Sequence, residues 1–261
     1  MKIYTKESLI ERLKEIKHMG WIPSGREGNC GGVGNTLEDL LGIEENNLPI
    51  PNAAEWELKC QRVNTNSLVT LFHMEPSPTA LKFVPQILLP IYGWSHKEAG
   101  KKYPETEKSF RQTISCRSRS DRGFTVVVDK EEEKVLISFD KNSVSDKHKD
   151  WLNKILDFTN GNELDPQPYW GFKDLYHKAG TKLHNCFFVE VGCQKRDGRE
   201  FFNYEKIWML SGFSLEKFIM AIELGDILVD FDARTGHNHG TKFRFRNNRL
   251  PELYDNVIEI E

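Results

Sequence analysis

The chain has 261 residues, 38% of them hydrophobic, and a formal charge of −3 at pH 7. That length supports one large domain or two moderate lobes, and the near-neutral balance excludes a protein that coats nucleic acid indiscriminately. No apolar run reaches bilayer length and Met1 to Glu7 carry no apolar h-region, which excludes a membrane partner and leads us to expect a soluble cytoplasmic protein. Five scattered cysteines (Cys30, Cys60, Cys116, Cys186, Cys193) without a C-x-x-C pair fit a reducing compartment, with buried thiols expected at each.

The pattern predicts a first helix from Lys6 to about Met19, N-capped by Thr5, with Leu9, Ile10, Leu13 and Ile16 on one face and Gly20 as its stop. A glycine-rich stretch from Gly28 to Gly34 suits tight turns or a backbone approach to phosphate. Thr36 then N-caps a short helix whose buried side is Leu37, Leu40 and Leu41. From Glu55 a strand is predicted, with Glu55, Glu57 and Lys59 on one face and Trp56 and Leu58 on the other. Crowded carboxylates repel unless a cation sits between them, and hard divalent ions favour such oxygens. A neighbouring lysine can position water or stabilise a phosphate in flight. An exposed strand edge with ordinary surface charge is the alternative reading of the same spacing.

A second strand is predicted at Ser67–Phe72, and Met74 to Pro104 read as a long irregular excursion studded with proline. Phe110–Ser115 reads as a strand. Arg111, Arg117, Arg119 and Arg122 around it suit phosphate contacts at a groove wall, or a solvated basic turn. A hairpin over Phe124–Asp129 and Lys134–Asp140 is followed by a helix from about Lys147 to Phe158, with Trp151, Leu152, Ile155 and Leu156 inward. The turn-rich residues 159–168 place the lobe boundary, giving lobes 1–162 and 163–261. Beyond it come a short helix from Phe172 and a hairpin of His184–Val191 with Glu200–Leu210, closed through Arg196, Asp197 and Gly198. Ser214 caps a helix that reaches Leu224.

Asp226 to Arg246 read as strand, loop, strand, with Lys242, Arg244 and Arg246 on one face. From Ala233 through Pro251 there is no acidic residue, an electrostatic footprint for a polyanion. The H-x-H pair His237 and His239 would need further ligands to hold zinc, and no cysteine or third histidine lies close by in sequence.

The order G-x-T-L-E-D-L-L, E-E-N-N-L-x-x-P-N-x-x-x-x-E-L-K, S-L-V-T-L-F, followed near the C-terminus by H-x-H-G-T-x-F-R, resembles the MvaI/BcnI restriction endonucleases and, more distantly, the mismatch-repair nickase MutH. The resemblance implies an α/β fold of the PD-(D/E)-x-K type, a mixed sheet flanked by helices, with two lobes around a DNA cleft. It implies a type II restriction endonuclease that cuts duplex DNA with Mg²⁺, strand by strand, as a monomer. A cognate DNA methyltransferase would belong to the same system without forming a stable complex. Carried over by position, Glu57 and Lys59 are the E-x-K half of the site, Glu38 is the helix carboxylate, and Asn52 stands where the family has aspartate as the central metal ligand. Asn52 carries no charge, so the site is impaired, or Glu55 or Glu38 takes its place, or the residue was changed to silence cleavage. The C-terminal segment would supply the base-reading residues His237, His239 and Arg244, with Asp230, Asp232, Arg234 and Lys242 beside them. Arginine donates twice to guanine and aspartate accepts from cytosine, so a G·C-rich site is expected. Arg117 and Arg119 would hold the DNA backbone. A MutH-like nickase and a catalytically inactive, sequence-specific DNA-binding protein are the alternatives.

Overall fold

Two sets of strands, interleaved in sequence, make the two compact units of the chain. The computed structural model describes residues 4–26, 31–43, 55–63, 65–246 and 249–261. In chain order the elements begin with α1 (Lys6–His18), β1 (Ile22–Pro23), α2 (Gly32–Leu41), β2 (Glu57–Arg62), β3 (Val69–His73), α3 (Leu89–Tyr92) and β4 (Trp94–Ser95). They continue with β5 (Lys108–Ile114), β6 (Arg122–Asp129), β7 (Lys134–Val144), α4 (Lys149–Leu156), β8 (Tyr169–Gly171) and α5 (Phe172–Leu183). The chain closes with β9 (Asn185–Arg196), β10 (Arg199–Phe213), α6 (Leu215–Glu223), β11 (Ile227–Arg234), β12 (His237–Phe245) and β13 (Tyr254–Ile260). Unit 1 comprises Met1–Val69, His177–Lys217 and Arg246–Glu261, and unit 2 comprises Thr70–Tyr176 and Phe218–Phe245. The boundary expected after residue 162 therefore falls inside unit 2: a turn-rich stretch marks a loop, whereas units are defined by which strands pair.

In unit 1 the sheet runs β1-β10-β9-β2, with β13 also on β10. It is mixed, because β2 runs parallel to β9 while β9 and β10 form an antiparallel hairpin. That hairpin closes at Asp197 and Gly198, both at positive φ (50° and 82°), the geometry that matches strand twist in a two-residue turn. Helix α1 starts at Thr5, whose hydroxyl accepts from the Ser8 N–H in a reciprocal capping box. Its Leu9, Leu13 and Ile16 are fully buried against Trp56, Leu58 and Phe187 of the sheet, each burial stabilising by about 1.5–3 kcal/mol. Two buried tyrosines pin α2: Tyr204 donates to the Val33 carbonyl at 2.9 Å and Tyr4 to the Leu41 carbonyl at 2.6 Å.

The second helix starts four residues before the expected Thr36 cap, with Gly31 as its N-cap. Thr36 is instead a buried mid-helix residue whose hydroxyl accepts from the Gly25 N–H at 3.1 Å. Gly32 and Val33 are buried in the first turn of the helix.

Unit 2 holds a sheet ordered β3-β12-β11-β5-β4 and a smaller one ordered β6-β7-β8. Its core is aromatic, with Phe110, Phe124, Phe139 and Phe231 in edge-on or tilted ring contacts at 5.0–5.6 Å. The excursion expected to be irregular is helical in part: a π-turn at Val84–Leu88 leads directly into α3, with Val84, Leu88 and Tyr92 buried. Pro85 sits in the first turn of this run, where no N–H is needed, and Pro90 follows where the π-turn passes into α3. Helix α4 is shorter than expected, and of its four supposed inward residues only Ile155 is buried while Leu156 is exposed. Among the described cysteines Cys186 is buried and Cys193 exposed; Cys30 lies outside the described residues. Among the described residues no helix is long and apolar enough to cross a membrane.

Candidate functional site

The alternation read from Glu55 onward holds in unit 1: Trp56 and Leu58 enter the core beneath α1 and α2, and Glu57 turns to the opposite face. β2 is the end strand of the sheet, yet the charge on it is not ordinary surface charge. Glu57 is 1% exposed, and its two oxygens face separate ammonium groups, Oε1 at 2.6 Å from Lys59 Nζ and Oε2 at 3.3 Å from Lys182 Nζ. Oε2 is buried and makes no hydrogen bond of acceptable geometry, so the Lys182 contact is Coulombic. Lys182, on the last turn of α5, was not among the sequence-predicted residues. Register explains the meeting: β2 lies beside β9 with Glu57 opposite Cys186, and α5 ends just before β9.

The remaining acidic candidates are less close. Glu38 lies on α2, and its charge acts on Cys60, a residue on the other face of β2 from Glu57. Burial first, then Glu38, pushes the Cys60 thiol up to about 12, so it is inert as a nucleophile. Glu55 is exposed, and among the described residues no three His, Cys, Asp or Glu side chains form a metal-type group. Asn52, expected at the centre of the site, lies outside the described residues. One buried carboxylate oxygen without a hydrogen bond, beside a lysine, is a donor that a hard divalent ion would satisfy.

In unit 2, β11 and β12 carry the sequence-predicted reading residues. The strands join through Thr235 and Gly236, and a bulge between Phe231 and Ala233 re-aims Asp232. The acid-free segment is not an unbalanced basic surface, because the cross-strand register sets Asp230 opposite Lys242. Lys242 Nζ lies 3.2 Å from Asp232 and Arg244 Nη1 lies 3.3 Å from Asp230. Arg111 of β5 adds a 2.8 Å contact to Asp232, and Thr113 donates to Asp230 at 2.7 Å. Burial pushes the Asp232 carboxyl up, but Lys242, Arg111 and His239 together outweigh it and hold it below its ordinary range. Arg234 is 3.1 Å from Glu107 and stacks on Tyr103, 4.7 Å from the ring centre. His237 and His239 are exposed with their Nε2 atoms 3.0 Å apart. Thr113 and Glu107 were missed by sequence reasoning, because their partners come from a strand more than a hundred residues away.

The two arginines expected on the DNA backbone have intramolecular partners. Arg117 donates to the Leu224 carbonyl at the end of α6 at 2.6 Å and lies 3.5 Å from Asp226. Arg119 donates to the Gly123 carbonyl at 2.8 Å and to Ser138 at 2.9 Å.

Known proteins share this architecture. The structure of restriction endonuclease MvaI in complex with its cognate DNA substrate matches with a TM-score of 0.77 at 24% identity, covering 99% of this chain and 100% of that one. MvaI in the absence of DNA matches with a TM-score of 0.54, again at 24% identity and over the full length of both chains. A search of curated protein sequences gives no match. At that identity the structural likeness establishes the fold, a mixed α/β arrangement of sheets flanked by helices. Membership comes from the family model, which matches residues 10–254, and the motifs quoted from the sequence lie within that span: the chain belongs to the MvaI/BcnI restriction endonuclease family.

Proposed function

We propose that this restriction endonuclease hydrolyses phosphodiester bonds of duplex DNA at a short G·C-rich site, with Mg²⁺, one strand at a time and as a monomer. The observation that carries the proposal is the buried Glu57 carboxylate with Lys59 at 2.6 Å and a second oxygen free of hydrogen bonds. Glu57 and Asn52 would hold the ion, with Glu38 adding negative charge from α2. When bound, a divalent cation supplies positive charge for the phosphate and acidity for a water. Lys59 is partly exposed, 14% by side chain, so its ammonium can leave Glu57 to donate to a phosphate oxygen and stabilise developing charge. Trp56 and Leu58 anchor the strand from the opposite face and keep Glu57 and Lys59 in register.

Unit 2 would read the sequence. Asp230, Asp232, Arg234, His237, His239, Lys242 and Arg244 offer both donors and acceptors to base edges, with Arg117 and Arg119 as backbone contacts. The ion pairs of Asp230 with Arg244 and of Asp232 with Lys242 hold these side chains in place before DNA arrives. Catalysis thus belongs to unit 1 and recognition to unit 2, and a methyltransferase of the same specificity would protect the host.

Asn52 motivates a second reading, a sequence-specific DNA-binding protein that does not cut. Digestion of a sequenced plasmid with Mg²⁺ by this chain and by Asn52→Asp, with the ends sequenced, separates the two. Discrete ends support the endonuclease, and a defined site is expected from both proteins, with Asn52→Asp at least an order of magnitude faster. Binding without product from both would establish the second reading. A single nicked strand that needs an added protein factor would indicate a MutH-like enzyme.

A further inference from the structure

Glu57 is a carboxylate sealed from solvent with a cation on each oxygen, one more than its charge requires. The two contacts differ in kind. Lys59 makes a tight 2.6 Å contact from the same strand, two residues away, as alternation dictates. Lys182 comes from a different element and lies 3.3 Å from Oε2, which is left without an aligned hydrogen bond. Charge-assisted hydrogen bonds of this type run shorter when they are fully made. Lys182 therefore holds its oxygen by charge alone, at the oxygen that an incoming ion would need.

We infer that Lys182 is a positioning residue that acts through Glu57: it occupies the free oxygen as a stand-in cation and thereby sets how tightly the site binds a divalent ion. This rests on the reading of Glu57 as a metal ligand. An ammonium and a divalent ion gathered on one carboxylate oxygen sit a few ångströms apart and repel. The ion displaces Lys182, whose side chain is 19% exposed, and its ammonium is then released toward solvent and any phosphate held there.

The inference has a distinctive sign. Removing a competing cation tightens ion binding. If Lys182 merely braced α5 against β2, its removal would loosen Glu57 and weaken ion binding. The test uses the full chain without DNA, titrated with MnCl₂ while free Mn²⁺ is counted by electron paramagnetic resonance. Lys182→Gln is expected to tighten Mn²⁺ binding on the order of ten-fold, since loss of a neighbouring like charge is worth about that factor. Lys182→Arg, which keeps the charge, is expected to stay near the parent. Lys182→Met serves as a second neutral variant should the glutamine variant fail to fold. Unchanged or weaker binding in the neutral variants overturns the inference, as does an arginine variant as tight as the neutral ones. Glu57→Gln is the control for the underlying reading: if it binds Mn²⁺ as well as the parent, Glu57 is not a ligand and the fault lies there. If Glu57→Gln loses the ion while Lys182→Gln leaves it unchanged, only the role of Lys182 is wrong.

Discussion

Replacing Lys59 by methionine tests whether the Glu57 pair exists in solution and what it costs to hold. At 2.6 Å the gross attraction between the charges is about 6 kcal/mol with an effective dielectric constant of about 20. Desolvating two ions offsets most of that, so the pair adds little net stability. Breaking it is a different matter, because Glu57 is left buried at 1% exposure. Losing one partner of a buried pair costs about 3–5 kcal/mol. Here the loss is discounted to about 2 kcal/mol, because Lys182 remains at 3.3 Å and Lys59 is itself partly exposed. Urea unfolding at pH 7, followed by circular dichroism, would compare the parent, Lys59→Met, Glu57→Gln and the double variant. The double variant should recover about 1–2 kcal/mol relative to Lys59→Met alone, since it removes the stranded charge as well. A Lys59→Met unfolding free energy within about 0.5 kcal/mol of the parent would refute the reasoning, because substitutions of ordinary surface charges behave that way.

Arg244→Ala and His239→Ala should each weaken binding to the cognate duplex by about 1–3 kcal/mol while leaving a scrambled duplex nearly unaffected; equal losses on both would make the β11–β12 hairpin a backbone clamp. Arg117→Ala should lower unfolding stability by about 1 kcal/mol through loss of its bond to the Leu224 carbonyl, and the salt dependence of DNA binding would reveal whether it also meets phosphate. Asp232 has a depressed pKa, so its stabilising pairing is complete above the unfolded value near about 3.9 and is lost as pH falls through the lower folded value. The gap in urea midpoint between the parent and Asp232→Asn should accordingly stay constant from pH 7 to about 5 and close below about 4; a gap that does not change with pH would mean the ion pairs contribute nothing. Gly123→Ala should destabilise by more than about 2 kcal/mol, because its φ is +78° and a Cβ would come 2.3 Å from the Asp140 carbonyl oxygen, seen as poor refolding or an early urea transition.

What the sequence disclosed was local. Thr5 and the Leu9–Leu13–Ile16 stripe marked α1, and Asp197-Gly198 between apolar runs marked the long hairpin, since both signals repeat within a few residues. Alternation likewise put Trp56 and Leu58 inward and Glu57 and Lys59 together. Three things were hidden because they depend on distant chain. Gly32 and Val33 looked like loop until Tyr204 of β10 bonded the Val33 carbonyl. The basic face of β12 looked unbalanced until β11 laid Asp230 and Asp232 alongside. Lys182 carried no signal at all, because nothing near it says that β9 runs parallel to β2.

That parallel pairing also orders events in time. Among the described residues, β2 bonds only to β9, whose first residue is Asn185, so Glu57 has no strand neighbour while the intervening chain is being synthesised. The second of its lysines likewise arrives only with the end of α5. A polypeptide released before that point would carry Glu57 and Lys59 on a segment without its strand partner, and its carboxylate would remain hydrated and unpositioned. Fragments from interrupted translation should therefore be harmless to the genome of the cell that makes them, the more so because they also end before β11 and β12 of unit 2.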